Sequence, residues 1–353
     1  MNPESQFWSR EFAAAFQPGA FYFSWHDCRV SSIKFQQMTI EQQVDSLSDC
    51  LVEILTQYGL DRCQTESINH EFNSTFKIHS NTGEKFALRI NVNSNRSRAN
   101  LNAEVVWVSS ITEVKAPKPI ATRVGGYVST GWHEATQRKL SAVLYTWLEG
   151  QEPGDEPTFE QLEAAGKAMA LLHQSSSKLQ LASDAEFPVL TDFYWGAPDL
   201  LSASASGLSD SQRDAIDTVK TEVSRGLTAL ASTNSLQPIH ADLHPWNLMW
   251  HQGELAVFDF DDSGLGLPVQ DLATSLYYLD TEEQDRAFLA GYASVQPVPE
   301  YSPEFMQLLF LQRRLMLLNY LHETSNPEHK AMLADYQAET MQRLENRTGR
   351  PVN

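Results

Sequence analysis

Cysteine, positive charge and long apolar runs are all scarce in this chain of 353 residues, and each scarcity excludes something. The three cysteines, Cys28, Cys50 and Cys63, are odd in number and follow no ligand spacing. That pattern suggests reduced thiols in a cytoplasmic protein rather than a disulfide framework. Lys and Arg number 26 against 45 Asp and Glu, a net charge of −19. The acidic balance argues against nucleic acid or an anionic membrane surface as partner. It is compatible with a cationic substrate, although solubility alone accounts for it. No apolar run approaches the ~20 residues of a membrane span. Residues 1–16, with Glu4, Arg10 and Glu11, lack a secretory core segment. Internal repeats are absent too. What the chain does have is 42% hydrophobic residues, enough for a sizeable core divided into two lobes or domains.

The most informative stretch runs from residue 240 to 271. It reads His240-Ala241-Asp242-Leu243-His244-Pro245-Trp246-Asn247, an apolar run at 248–250, a turn at His251-Gln252-Gly253, a second apolar run at 255–258, and Asp259-Phe260-Asp261-Asp262. Two apolar runs around a Gly-containing turn read as a β-hairpin. Asp242 and Asn247 precede its first strand and Asp259 follows its second. Folding back brings three oxygen-bearing side chains toward one point. Such a set suits phosphoryl transfer, in which hard oxygen ligands hold divalent cations and a carboxylate orients the attacking hydroxyl. Kinases carry a His-x-Asp loop with Asn five places after the Asp, then Asp-Phe-Gly. The same spacing occurs here, with Asp261 in place of the Gly. A rival reading is a zinc hydrolase. His240, Asp242 and His244 alternate and would share one face of an extended strand, with Asp259 as fourth ligand. Against it, Pro245 and Asn247 fit a kinase loop, and no further His cluster follows.

On His-x-Asp-x-His-Pro-x-Asn, the Asp-Phe-Asp-Asp run and the following Asp271-Leu-Ala, the chain resembles the aminoglycoside phosphotransferase and choline kinase-like family, with homoserine kinase type II and bacterial stress-response kinases among its relatives. The resemblance implies an α+β, two-lobed protein-kinase-like fold. Its N-lobe would be an antiparallel sheet plus a helix, its C-lobe mainly helical with a catalytic hairpin. It implies Asp242 as catalytic base, His240 as the residue that packs and hydrogen-bonds to orient the loop, Asn247 and Asp259 as Mg²⁺ ligands with Asp261 as an auxiliary, and ATP as co-substrate. Asp271 would fix the catalytic loop by hydrogen bonds without touching substrate.

The family-like body begins near Met38. Residues 1–37 stand apart, either as a natural N-terminal extension or as sequence upstream of a start at Met38. Thr39 and Gln42 form a capping box, and a helix follows, with Ile40, Val44, Leu47, Leu51 and Ile54 on one face and Gly59 at its end. Residues 72–79 and 85–91 read as strands joined by Ser80-Asn81-Thr82-Gly83. A Gly-x-Gly-x-x-Gly loop is lacking. Asn73 and Ser74 stand where the resemblance places phosphate contacts. Arg89 takes the place of the phosphate-binding lysine, and Glu104, on a helix over 97–111, would hold it. Arg is always charged, but its planar fork is not equivalent to Lys. Short strands are expected at 118–120 and 126–128. A stronger strand over 140–147 would lead to a hinge where backbone groups of Tyr145, Trp147 and Leu148 meet the adenine edge.

The lobe boundary falls near Gly150, giving a nucleotide-binding N-lobe at 38–150 and a C-lobe with the acceptor site at 151–353. Beyond it, an apolar stripe from Phe159 to Leu172 ends in His173, read as a buried structural hydrogen-bonder. Arg313 and Arg314 fall on a helix that starts at Ser302-Pro303; they could contact a substrate carboxylate, but a solvated or ion-paired role is expected. Residues 327–346 read as one polar helix. The function expected is transfer of the ATP γ-phosphoryl group to a small-molecule hydroxyl, with oligomeric state open. The alternatives are a Ser/Thr protein kinase of the stress-response type and a non-catalytic pseudokinase.

Overall fold

Thr39 opens the first helix, α1 (Ile40–Asp45), through the expected capping box. Its side chain accepts from Gln42 N, while Gln42 accepts from Thr39 N. The next helix, α2 (Ser48–Tyr58), stops at Gly59, whose φ of 79° is left-handed and free of Cβ cost only for glycine. In this computed structural model residues 34–324 and 326–348 are described. Most of the expected extension at 1–37 therefore lies outside the described residues. Phe35 is described: it is buried in the first core, three residues ahead of Met38.

Five strands follow: β1 (Gln64–His70), β2 (Asn73–His79), β3 (Lys85–Asn91), β4 (Val128–His133) and β5 (Arg138–Thr146). They form one antiparallel sheet in the order β1-β2-β3-β5-β4. Helix α3 (Arg98–Ser110), capped by Ser97, separates β3 from β4 in the chain. Strand alternation decides which side chains reach the core. Phe76 and Ile78 of β2 and Leu88 and Ile90 of β3 are buried with Leu47 and Ile54 from the α1–α2 segment. Each such burial is worth about 1.5–3 kcal/mol. The residue between Leu88 and Ile90, Arg89, necessarily takes the opposite face. Strand β1 was not expected, because Gln64-Thr-Glu-Ser-Ile-Asn-His70 is polar and only half-buried. Residues 118–120 do not form the expected strand. They reach β5 through a single bridge, Pro119 to Tyr145, flanked by hydrogen bonds of Ile120 N and Thr146 N. A proline cannot donate to a longer ladder.

The rest of the chain supplies α4 (Phe159–Ser176), α5 (Asp210–Ala231), β6 (Gln237–Ile239), β7 (Leu248–His251), β8 (Glu254–Val257), β9 (Gly264–Gly266), α6 (Pro268–Tyr277), α7 (Glu282–Ala293), α8 (Pro303–Glu323), α9 (Pro327–Ala331) and α10 (Leu333–Thr348). The single helix expected over 327–346 is thus two. Helices α4 and α7 touch backbone to backbone: a Cβ on Gly166 would lie 1.9 Å from Phe288 O, and one on Gly291 1.9 Å from Glu163 O. This close crossing brings His173 of α4 to Tyr292 of α7. The described residues up to Gly150, with Gln180–Glu186, form one compact unit; Gln151–Leu179 and the residues from Phe187 onward form the other. No helix among the described residues is long and apolar enough to cross a membrane.

Candidate active site

Strands β7 and β8 pair antiparallel from Leu248–Val257 to His251–Glu254, around a turn in which Gln252 and Gly253 both have positive φ. At the open end Phe258 N donates to Asn247 O at 3.1 Å. Asn247 Nδ2 donates to Asp242 O at 2.8 Å and to Asp242 Oδ2 at 2.9 Å. Asp242 and Asn247 are therefore hydrogen-bonded to each other, and Asp259 begins one residue past the bond that closes the hairpin. Asp259 is exposed and has φ 59°, a left-handed conformation that Asp tolerates better than most residues.

The loop before the hairpin hangs from Asp271, which is fully buried on α6. Its Oδ2 accepts from His240 N at 3.0 Å and its Oδ1 from Ala241 N at 2.8 Å. His173 Nε2 lies 2.9 Å from Oδ2, and His173 Nδ1 lies 2.9 Å from Tyr292 Oη. Burial alone would raise the Asp271 carboxyl, but its hydrogen bond with His173, supported by those from the backbone of the loop, holds it below the ordinary value. The imidazole of His240 is also buried, and burial keeps its pKa below the usual range. Its neutral ring spans the site. Nε2–H donates to Phe258 O at 2.9 Å, and Nδ1 accepts from Asp242 N at 3.3 Å. Both nitrogens are thus engaged, which removes His240 as a zinc ligand. Among the described residues no three His, Cys, Asp or Glu side chains are disposed to hold a metal by themselves.

Between His240 and Asp242 the chain turns through Ala241 with φ 68° in a fully buried position. A non-glycine residue there is strained by about 1–3 kcal/mol and persists because Asp271 over-determines it. Ala241→Gly is expected to leave the fold within about 1 kcal/mol of its present stability. Ala241→Val should lower stability by roughly 2–3 kcal/mol, since a β-branched residue fits this conformation worst. Urea midpoints of the two variants check the contrast.

The Asp242 carboxylate is enclosed on its other side by Arg313 and His244. Arg313 Nη2 donates to Asp242 Oδ1, and His244 Nε2 lies 3.3 Å from Oδ2. Tyr278 Oη accepts from Arg313 Nη2 at 2.8 Å, and its ring lies 4.7 Å from that of His244. Burial would raise the Asp242 carboxyl, yet the charges of His244 and Arg313 outweigh it and hold the group well below the usual carboxylate range. Asp242 is therefore ionised at any pH near neutrality.

In the first unit Arg89 Nη2 pairs with Glu104 Oε2 at 2.5 Å, both side chains being at most 9% exposed. Tyr145 Oη donates to Glu104 Oε1, also at 2.5 Å. Two expectations need correction. Tyr145 does not offer backbone to a hinge, because it pairs with Ala87 inside the sheet; its hydroxyl instead buttresses Glu104. Ser74 shares the buried face of β2 with Phe76 and Ile78, and its Oγ lies 2.6 Å from His70 Nδ1, so it is a core group and not a phosphate contact. Asn73 starts β2 opposite Asn91. Trp147 and Leu148 lie beyond Thr146, the last residue of β5 to pair with β3, and Lys77 Nζ sits 4.4 Å from the Trp147 ring. Asp261 is half-buried two residues after Asp259.

Comparison with known proteins gives the fold and the family. An amicoumacin kinase from Bacillus subtilis (strain 168) is 34% identical over 119 residues, 28% of this chain; the chain thus spans only about a third (34%) of that curated relative's length. Among solved structures, amicoumacin kinase hAmiN in complex with AMP-PNP, Ca²⁺ and Ami superposes with a TM-score of 0.64 at 19% identity, covering 89% of this chain and 95% of that one. A microcompartment-associated aminopropanol kinase gives 0.68 at 20% identity, covering 84% and 97%. At these identities the likeness shows the fold: an α+β, protein-kinase-like one. The family described as "Phosphotransferase enzyme family" matches residues 66–305, well over half of the sequence, and the chain belongs to that family.

Proposed function

We propose that the protein transfers the γ-phosphoryl group of ATP to a hydroxyl of a small molecule. The observation that carries this reading is the Asp242–Asn247 hydrogen bond at the open end of the hairpin that leads into Asp259. The residues fit a divalent cation. Asn247 spends both Nδ2 hydrogens on Asp242, so the amide's remaining ligand atom is Oδ1, a hard oxygen. Asn247 and Asp259 would hold Mg²⁺, with Asp261 as auxiliary. A cation held there would supply positive charge against the charge of the phosphates. The remaining work falls to the chain itself. Arg89, fixed by Glu104, binds the α and β phosphates. Asp242 accepts a hydrogen bond from the acceptor hydroxyl and aligns its oxygen with the γ-phosphorus. The new P–O bond forms as the bond to the β-phosphate bridging oxygen breaks. ADP leaves, and the hydroxyl proton passes to Asp242. His240 and Asp271 keep the loop in register throughout.

A pseudokinase reading finds its support only in Arg89 replacing Lys, whereas Asp242, Asn247 and Asp259 are all retained. A protein kinase would need an activation segment, and only ten residues separate Phe260 from Asp271. A small acceptor and a cytoplasmic location suit the chain better. The names of the relatives put antibiotics and amino alcohols first among acceptors to try, followed by homoserine, choline and amino sugars. Purified protein with Mg-ATP is expected to release ADP at least about tenfold faster with one such compound than without, and EDTA should abolish the release. Tight nucleotide binding with no ADP from any compound would leave the pseudokinase.

A further inference from the structure

Phosphoryl transfer as described gives no task to Arg313, the buried charge that touches the catalytic carboxylate. Arg313 lies in the middle of α8 and is 9% exposed. A guanidinium so placed is costly unless paired. Three of its five N–H groups are accounted for: Nε donates to Tyr278 Oη at 3.2 Å, and Nη2 donates to Tyr278 Oη and to Asp242 Oδ1. The two hydrogens of Nη1 have no partner among the described residues. The charged or titratable groups facing Arg313 are Tyr278, Asp242 and Asp262; those facing Asp242 are His244, Arg313 and His240. Tyr278 is itself wedged against His244 and Trp246, with ring centroids 4.7 and 6.1 Å away. The guanidinium is thereby held in one plane by an aromatic group that cannot easily move.

This arrangement grips the catalytic carboxylate at both ends, Oδ2 by Asn247 Nδ2 and Oδ1 by Arg313 Nη2. A carboxylate held by one oxygen alone can still swing about its Cβ–Cγ bond; held by two, it cannot. A guanidinium carries donors and no acceptor, so whatever meets the remaining Nη1 hydrogens must present a hydrogen-bond acceptor, which in a hydroxyl-bearing small molecule is most simply a second oxygen. Lys could supply the charge but not the planar fork that reaches Tyr278 and Asp242 together.

Resting on the phosphotransfer reading, we propose that Arg313 is the residue that positions the acceptor: it holds Asp242 facing the attacking hydroxyl and offers Nη1 to a second oxygen of the acceptor. The test uses the full chain as wild type, Arg313→Lys, Arg313→Gln and Arg313→Ala, with Mg-ATP. Turnover is measured with water as acceptor and with the first hydroxyl compound that stimulates ADP release. Arg313→Gln should lower kcat by about 10²-fold with the organic hydroxyl, the size of effect that loss of alignment produces, and by a smaller factor with water. Its KM for ATP should stay within about twofold. Arg313→Lys should recover part of the loss, and free guanidinium at sub-denaturing concentration should recover part of it in Arg313→Ala. Unchanged kcat in Arg313→Gln overturns the proposal. So does equal loss in Lys and Gln with no rescue by guanidinium, or a Lys variant that does not fold, because the side chain is then only a strut. If the wild type releases no ADP under any condition, the phosphotransfer reading itself has failed, which is a different result.

Discussion

Asp242→Asn is expected to lower phosphoryl transfer by roughly 10²–10⁴-fold, the range in which a positioned base contributes, while ATP affinity changes little. The substitution keeps the shape of the side chain and an oxygen for Arg313, at the cost of turning an amide N–H toward the Asn247 donor, and it removes the group that takes the hydroxyl proton. The rate loss corresponds to about 3–5 kcal/mol of transition-state stabilisation. Because His244 and Arg313 hold the wild-type carboxyl well below the ordinary range, the base is ionised throughout the neutral region, and the deficit should be the same at every pH there. Single-turnover rates with saturating ATP, together with nucleotide titrations, measure both quantities. Wild-type turnover in the variant would refute the role of Asp242, whatever else the site does.

Asp271→Asn should fail differently, by loss of stability. Its carboxylate accepts two backbone N–H bonds, from His240 and Ala241, and faces His173, with no exposure to solvent. An amide in its place must turn a donor toward one of those donors. Leaving one of those buried donors without its acceptor costs roughly 1–3 kcal/mol, more where the acceptor lost was charged. The pH dependence follows from the depressed carboxyl. A group whose folded-state pKa lies below its unfolded one stabilises fully above the unfolded value, and that contribution is lost as pH falls through the folded one. The gap in urea midpoint between wild type and Asp271→Asn should therefore be full at pH 7 and narrow below about pH 4, the ordinary Asp value. A gap independent of pH would show that the carboxylate charge is not what stabilises the loop.

The two experiments separate chemistry from scaffold within a span of thirty-two residues, 240 to 271, and much of that span could be read without coordinates. Capping residues act on the three or four positions beside them, so Thr39, Ser97 and Ser302 mark helix starts in the sequence itself. The hairpin at 248–257 is equally local: two apolar runs and a turn that needs positive φ. Strand β1 has no local signature, because its seven residues are polar and draw their stability from pairing with β2 rather than from an apolar pattern. Ser74 was misplaced for a related reason. Its residue type suggests a polar surface, whereas strand alternation buries it and His70 satisfies its hydroxyl.

By itself the sequence determined the order of oxygen donors and the hairpin that separates Asp242 and Asn247 from Asp259, because both follow from short-range patterns, while the Arg89–Glu104 pair was implied by the family resemblance. Only the tertiary structure decided what surrounds the catalytic carboxylate. Arg313 reaches Asp242 from 71 positions away, on a helix whose pattern shows an arginine but not its partner. Which buried charge meets which is settled by helix packing, and packing depends on many distant side chains at once. No local pattern records it.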